Sequence, residues 1–285
     1  GSWVEISASG AVITGNSVDF TGITPGAYDF EYTVTGAAPC ADATALVTIN
    51  LLAPPDAGVD NTVSACSNVA ALDLFASLGG TPEAGGAWVQ ISGAARTITG
   101  NNVDLVGAVA GPYEFEYTVT GTAPCADATA VVTVNVSDPP DPGLDNTVNT
   151  CNSDTAFDLF ASLAGTPDAG GVWTELTTGG AVITGNTVDF TGIAGATYQF
   201  QYTITATGCN PVSSVVTVDL FDIPTANISG DATICTGQSN TITITLTGVG
   251  PWDIQYSDGG APIAINGIAA SPHTFSVSPA INTTY

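Results

Sequence analysis

The chain has no lysine and no methionine. It has one arginine, Arg96, and one histidine, His273, against 26 acidic residues, so its formal net charge is −25 over 285 residues. Phosphate recognition draws on lysine and arginine, so nucleic acid is excluded as an expected partner, and an anionic membrane surface is excluded for the same reason. Lysine–asparagine isopeptide braces cannot form, and trypsin has a single site at Arg96. One histidine cannot serve a site that recurs along the chain, and clamps for phosphate or carboxylate lack their cations. No apolar run approaches the length of a membrane helix, and no charged-then-apolar leader opens the sequence. What is abundant is apolar and small: 44% of residues are hydrophobic, which is enough for packed cores and unlike a disordered acidic tail. Such a charge favours separation of chains and attracts divalent cations, with self-repulsion weakest in salty water.

The residues present are organised by repetition. Trp3, Trp88 and Trp173 recur at one constant interval in "GSWVEIS", "GAWVQIS" and "GVWTELT". "AVITGNSVDFTGI" from residue 11 returns as "AVITGNTVDFTGI" from residue 181, and "YTVTGAAPCADATALVTIN" from Tyr32 returns as "YTVTGTAPCADATAVVTVN" from Tyr117. "PPDAGVDNTVSAC" and "PPDPGLDNTVNTC" open successive units. The resulting division is 1–54, a unit lacking its front; 55–140 and 141–224, two complete units; and 225–285, a diverged unit that stops early. On this reading the chain is a window on a longer protein.

Within each unit the pattern is that of strands. In "YDFEYTVT", Tyr28, Phe30, Tyr32 and Val34 alternate with Asp29, Glu31, Thr33 and Thr35, so the apolar set shares one face. "ATALVTIN" and "ATAVVTVN" alternate likewise and are rich in β-branched residues. "VITGNSVDF" reads as a short hairpin around Gly-Asn, and "GAAPCAD" as a longer hairpin connection. The one helical candidate, "DLFASL" at 73–78 and 158–163, is too short to stand alone and is expected as a helical turn or a strand end. About seven short strands per repeat predict an all-β fold of tandem immunoglobulin-like β-sandwich modules forming an elongated rod. Trp88 and Trp173 fall on the third strand and the paired tyrosines on the sixth, as core residues rather than a ligand stripe. Strands of about ten residues predict roughly 35–40 Å per module, with Pro-Pro junctions limiting bending.

No constellation for catalysis emerges. Asp29 with Glu31, and Glu114 with Glu116, lie two apart on an outward strand face, and the third unit carries Gln199 and Gln201 there, so a solvated face is expected. His273 in "SPHTF" is expected in a solvated loop. The better chemical candidate is calcium at the module starts, where Asp56 and Asp60, then Asp141 and Asp145, recur beside the Pro-Pro junctions. Carboxylates and carbonyls at such a joint suit a hard cation. The competing reading makes them caps of turns or strand starts. Asp42 and Asp127, after the hairpin cysteines, are a weaker second set. No cofactor other than such a calcium ion is implied.

Six cysteines at regular positions indicate disulfides and an oxidising, extracellular setting. Zinc is disfavoured, because there is no CxxC and only one histidine. Two pairings compete. Cys66–Cys125 and Cys151–Cys209 give one bond per module, leaving the partners of Cys40 and Cys235 outside the chain. Cys40–Cys66, Cys125–Cys151 and Cys209–Cys235 pair all six at a constant spacing of 26. Loop entropy separates them by only about 0.7 kcal/mol. One staple per small module favours the first. Its weak point is that the two cysteines of a module can lie at opposite poles, whereas a disulfide needs Cα atoms within about 7 Å.

The combination "LFASLGGTPEAGGAW", "YTVTGTAPCADATAVVTV" and "DPPDPGLDNTVNTC" resembles the tandem immunoglobulin-like repeats of giant secreted surface adhesins of Bacteroidota, associated with gliding motility and type IX secretion. The resemblance covers residues 1–224 closely, and 225–285 resemble a second repeat type of such proteins. It implies export, an extracellular cell-surface location and a stalk or adhesive role, and supplies no catalytic motif. The expected function is therefore a structural stalk or filament segment giving reach and mechanical stability for adhesion or gliding. Its partners are neighbouring modules of the same chain, with lateral self-association or surface glycans as further ones. The alternative is a glycan- or protein-binding module, and near-identity of the repeats favours architecture over recognition.

Overall fold

The computed structural model describes residues 1–285 as strands and turns, with no helix. Two compact units divide the chain: Gly1–Pro139 with Thr207–Cys209, and Pro140–Ala206 with Asn210–Tyr285.

In the first unit the second sequence repeat is complete and shows the design. Its seven strands are β6 (Asn61–Cys66), β7 (Leu72–Asp73), β8 (Ala87–Ser92), β9 (Ile98–Thr99), β10 (Asn102–Val103), β11 (Gly111–Val119) and β12 (Ala128–Ser137). They form a four-stranded sheet ordered β6-β12-β11-β8 and a three-stranded sheet ordered β7-β10-β9. Strands β11 and β12 are antiparallel, while the first strand, β6, runs parallel to the last, β12, from Asn61 opposite Val132 to Cys66 opposite Ser137. Burial follows the period of two: Tyr113, Phe115, Tyr117 and Val119 on β11, and Ala130, Val132, Val134 and Val136 on β12, are buried. Leu74, Leu78, Val103 and Leu105 from the opposite sheet and its turns close the core.

Turn chemistry sets the register. In the β9–β10 hairpin Thr99 faces Asn102, leaving a two-residue loop, and Gly100 has φ +60° while Asn101 does not enter the positive region. Glycine at the first central position is the choice of a type II′ turn. "DLFASL" is a strand end followed by a turn: Leu72 and Asp73 are β7, the Ala76 N–H donates to Asp73 Oδ1 at 3.0 Å and the Ser77 hydroxyl donates to Asp73 O at 2.7 Å.

The first repeat contributes β1 (Ser2–Glu5), β2 (Val12–Thr14), β3 (Ser17–Asp19), β4 (Gly26–Val34) and β5 (Ala43–Leu51). They form a sheet ordered β1-β4-β5 and a hairpin β2-β3, with no counterparts of β6 and β7.

In the second unit the third repeat reproduces the second. β13 (Asn146–Cys151), β19 (Val212–Phe221), β18 (Thr197–Ile204) and β15 (Val172–Glu175) make the four-stranded sheet in that order. β14 (Phe157–Asp158), β17 (Thr187–Asp189) and β16 (Val182–Thr184) make the other. Their core is a separate cluster that includes Leu159, Phe190, Phe200 and Val216. Residues 226–277 add a sheet of β20 (Ala226–Ser229), β21 (Asn240–Leu246) and β24 (His273–Val277), and a hairpin of β22 (Trp252–Tyr256) and β23 (Ile263–Ile268), around a third cluster. His273 opens β24 opposite Ile244 and is partly buried, so it is a strand residue rather than the solvated loop residue expected.

Candidate functional site

The aromatic core is built on a tryptophan–tyrosine pair across the third and sixth strands. Trp88 faces Tyr117 with ring centroids 4.9 Å apart, and Trp173 faces Tyr202 at 5.0 Å. The Tyr117 hydroxyl donates to Glu83 O at 2.7 Å and accepts from the Gly86 N–H at 2.8 Å, which ties the loop before β8 to the core. Tyr202 does the same with Asp168 O and the Gly171 N–H. The Trp88 indole N–H donates to Asn101 Oδ1 at 3.3 Å; the buried Trp173 indole N–H has no partner. At the start of the sixth strand the Tyr113 hydroxyl donates back to Val109 O at 2.9 Å, and Tyr198 likewise to Ala194 O at 2.8 Å. This is the tyrosine corner of immunoglobulin sandwiches. Reading the sequence misses it, although a tyrosine placed just after a turn in each repeat carries the signal. Strand order, the parallel first-to-last pairing and this corner together define the class: the second and third repeats are immunoglobulin-like β-sandwich modules.

The acidic pairs form no reactive set. Asp29, Glu31, Glu114 and Glu116 are half-buried on the outer sheet face, and Asp29 accepts from the cross-strand Thr48 hydroxyl at 2.6 Å. The calcium candidates each accept a backbone N–H through one carboxylate oxygen. Asp56 accepts from the Gly58 N–H and Asp141 from the Gly143 N–H, both at 2.8 Å, as caps of their own turns. Asp60 accepts from the Val131 N–H at 2.8 Å and Asp145 from the Val215 N–H at 2.8 Å, so each satisfies an amide of the last strand of its module just before the parallel pairing with the first strand begins. Asp42 and Asp127 accept from the N–H of Gly36 and Gly121 inside their hairpin loops. Nowhere do three or more histidine, cysteine or acidic side chains come together as a metal-ligand set. Asp19 is held below its ordinary carboxylate value by the Thr21 hydroxyl and N–H, and Asp189 by the Thr191 N–H and then its hydroxyl.

The cysteines overturn the expected pairing. Cys66 is bonded to Cys209, with Cα atoms 4.7 Å apart and a sequence separation of 143. Cys40, Cys125, Cys151 and Cys235 are free thiols, so neither Cys66–Cys125 with Cys151–Cys209 nor the constant-spacing scheme is present. The reason is the strand register. Cys66 lies opposite Ser137 at one end of β12, whereas the hairpin that carries Cys125 leaves from the Val119–Ala128 end. About nine residues of strand separate the two positions, roughly 30 Å at ~3.3 Å per residue, far beyond disulfide reach. In the third repeat Cys151 lies opposite Phe221, again at the far end from the Ile204–Val212 hairpin.

The bond therefore joins the first strand of the second repeat to the hairpin of the third, and the hairpin tip, Thr207–Cys209, belongs to the first compact unit. Its seat is built for close approach. Gly208 has φ +80°, and a Cβ there would fall 2.5 Å from the Ala65 nitrogen. Ala65 and Cys66 are buried, the Ser67 N–H donates to Ser137 O at 2.9 Å, and the Ser67 hydroxyl donates to Asp138 Oδ1 at 3.3 Å. The Cys209 sulfur rests 3.5 Å from Asp138 O as a contact without a donated hydrogen.

No protein-family model and no curated protein matches the chain. Among solved structures, an I-band fragment of titin is similar at 12% identity and TM-score 0.42, over 79% of this chain and 87% of that one. The N-terminal eight Ig domains of Down syndrome cell adhesion molecule match at 13% identity and TM-score 0.33, over 89% of this chain and 46% of that one. A human CDH23 fragment, EC21–23, matches at 13% identity and TM-score 0.34, over 69% of this chain and 81% of that one. The fold assignment rests on the chain's own strand topology.

Proposed function

We propose that this chain is a structural segment of a large extracellular cell-surface adhesin, a run of immunoglobulin-like repeats that gives reach and mechanical stability for surface adhesion or gliding. The observation that supports this reading is the Cys66–Cys209 bond, which ties one repeat to the next at a sequence separation of 143 rather than stapling a single module. A cross-link of that kind limits how far a chain lengthens under load, which is a requirement of a stalk and not of a binding loop. It also belongs to an oxidising, extracellular setting. The aspartates that recur at module starts serve turn amides and amides at the start of the first-to-last strand pairing, in keeping with architecture. The partners on this reading are neighbouring repeats of the same chain, in a rod-like series, with lateral association of such segments as a further contact.

The test uses the full chain, immobilised through one end, on a glycan array and in pull-downs from surface extracts. No saturable, specific binding is expected. A specific glycan or protein ligand bound by the repeats themselves would contradict the stalk and favour the binding-module reading.

A further inference from the structure

In the second repeat β8 ends its four-stranded sheet, with β11 on one side and no strand on the other. Its outward side chains are apolar: Val89 is 57% exposed and Ile91 50%. An open edge is a template for another strand, and proteins guard such edges with charge, proline or a bulge. β8, Ala87–Ser92, carries no charge and no proline, and it pairs regularly with β11 from Ala87 to Gln90, bulging only at its end.

The other two repeats treat this edge differently. In all three, the fourth residue of the strand caps the loop that follows. Glu5 Oε1 accepts from the Ser9 N–H at 2.7 Å, Glu175 Oε1 from the Gly179 N–H at 2.8 Å, and Gln90 Oε1 from the Arg96 N–H at 2.8 Å. Gln90 does the same work without a charge, and its Nε2 also donates to Ser92 O and Ala94 O, both at 2.9 Å. The edge strands β1 and β15 therefore each carry a carboxylate, and β8 carries none. No acidic residue occurs from Ala84 to Val103, and the one charge there, Arg96, donates to the carbonyls of Ala95 and Val106. The acids Glu114 and Glu116 lie one strand further in, on β11.

We propose that β8 pairs edge to edge with β8 of a second copy of this chain, antiparallel about a two-fold axis near Gln90. Charge favours a second copy meeting here: each chain carries −25, so two copies repel except along a strip without acids, and this edge is such a strip on both. In the pair, Val89 of each chain faces Ile91 of the other on the outer face, and the two Gln90 side chains meet on the inner face. The acids on the two β11 strands stand three strand spacings apart, about 14 Å, beyond the Debye length of about 8 Å at physiological ionic strength. A two-fold contact of this kind closes on itself, so it gives a dimer and not a fibre. The proposal deepens the stalk reading, on which it rests, by naming the face through which segments associate laterally.

The test follows the full chain by sedimentation velocity across a concentration series, with its free thiols alkylated so that no disulfide joins two copies. A monomer–dimer equilibrium is expected, tighter at about 500 mM than at about 20 mM NaCl, because salt screens the repulsion between chains. Gln90→Glu installs the residue that stands at Glu5 and Glu175, so the loop cap is kept. It should raise the dimer dissociation constant at least about fivefold at low salt, by setting two carboxylates against each other. Val89→Thr, the residue of the third repeat at Thr174, should weaken the dimer as well. Amide exchange should slow on dimerisation in residues 87–92. The proposal is overturned by a monomer at every concentration and both salts, by equal dissociation constants for Gln90→Glu and the unaltered chain, or by slowed exchange confined to other strands. Each of these results leaves the Cys66–Cys209 cross-link, and with it the stalk, standing, whereas a specific ligand in the binding assays would remove the stalk and leave the dimer.

Discussion

Breaking the Cys66–Cys209 bond should roughly double the length to which the chain can be drawn out. Between handles at Gly1 and Tyr285, full unfolding of all 285 residues releases about 1000 Å at ~3.5 Å per residue. With the bond intact, the 143 residues between the cysteines are short-circuited, which withholds about 500 Å of that length. The assay is optical-tweezers stretching, first oxidised and then in the presence of a thiol reductant. At the same ~3.5 Å per residue, the oxidised chain should end at about 500 Å and the reduced chain at about 1000 Å. Cys66→Ser and Cys209→Ser should each behave as the reduced chain without reductant, while Cys125→Ser should leave the short length unchanged. At zero force, closing a loop of this size stabilises by up to about 5 kcal/mol in the chain-entropy estimate, felt when the second and third repeats unfold together. Equal final lengths in oxidised and reduced states would refute the cross-link across repeats. A difference of only about 200 Å would refute it as well, because that is the extended length enclosed by a bond within one module, Cys66–Cys125.

Other consequences can be checked on the same chain. Tyr117→Phe removes a buried hydroxyl that serves both Glu83 O and the Gly86 N–H, so the second repeat should lose about 1–3 kcal/mol in denaturant unfolding. Asp60→Ala should destabilise the second repeat in thermal unfolding by leaving the Val131 N–H without its carboxylate. Because Asp19 and Asp189 are held below their ordinary value of 3.8 in the folded state, the stability they contribute is present above that value and is lost as pH falls through the lowered one. Melting profiles from pH 7 to pH 2 should therefore decline only at the acid end, and Asp19→Asn with Asp189→Asn should make the decline shallower.

Much of this fold is legible in local sequence because period and turn chemistry are local signals. Tyr113, Phe115 and Tyr117 alternate with acids in the sequence as they alternate between core and outer face in the sheet. Gly100-Asn101 marks a two-residue hairpin whose register follows from the turn. The parts that were not legible are those set by which residues meet across long separations. Asp60 stands at a module start like many turn aspartates, and only the parallel β6–β12 pairing shows that it serves Val131, 71 residues on. The cysteines are the sharper case. A strictly periodic pattern is compatible with pairing within a unit, across one junction or across a whole unit, and spacing alone cannot choose. The choice follows from pole and direction. β6 runs parallel to β12, so its cysteine sits at the end where the chain leaves the module, and the module's own hairpin sits at the other end.

The central claim is that covalent bonding runs from repeat to repeat, and disulfide mapping tests it most directly. The unreduced chain is alkylated, digested with an aspartate-specific protease, since trypsin has only Arg96 to cut, and analysed by mass spectrometry. The predicted result is one linked pair joining the peptide of Cys66 to the peptide of Cys209, with Cys40, Cys125, Cys151 and Cys235 recovered alkylated. Recovery of Cys66 linked to Cys125, or of Cys151 linked to Cys209, would contradict it.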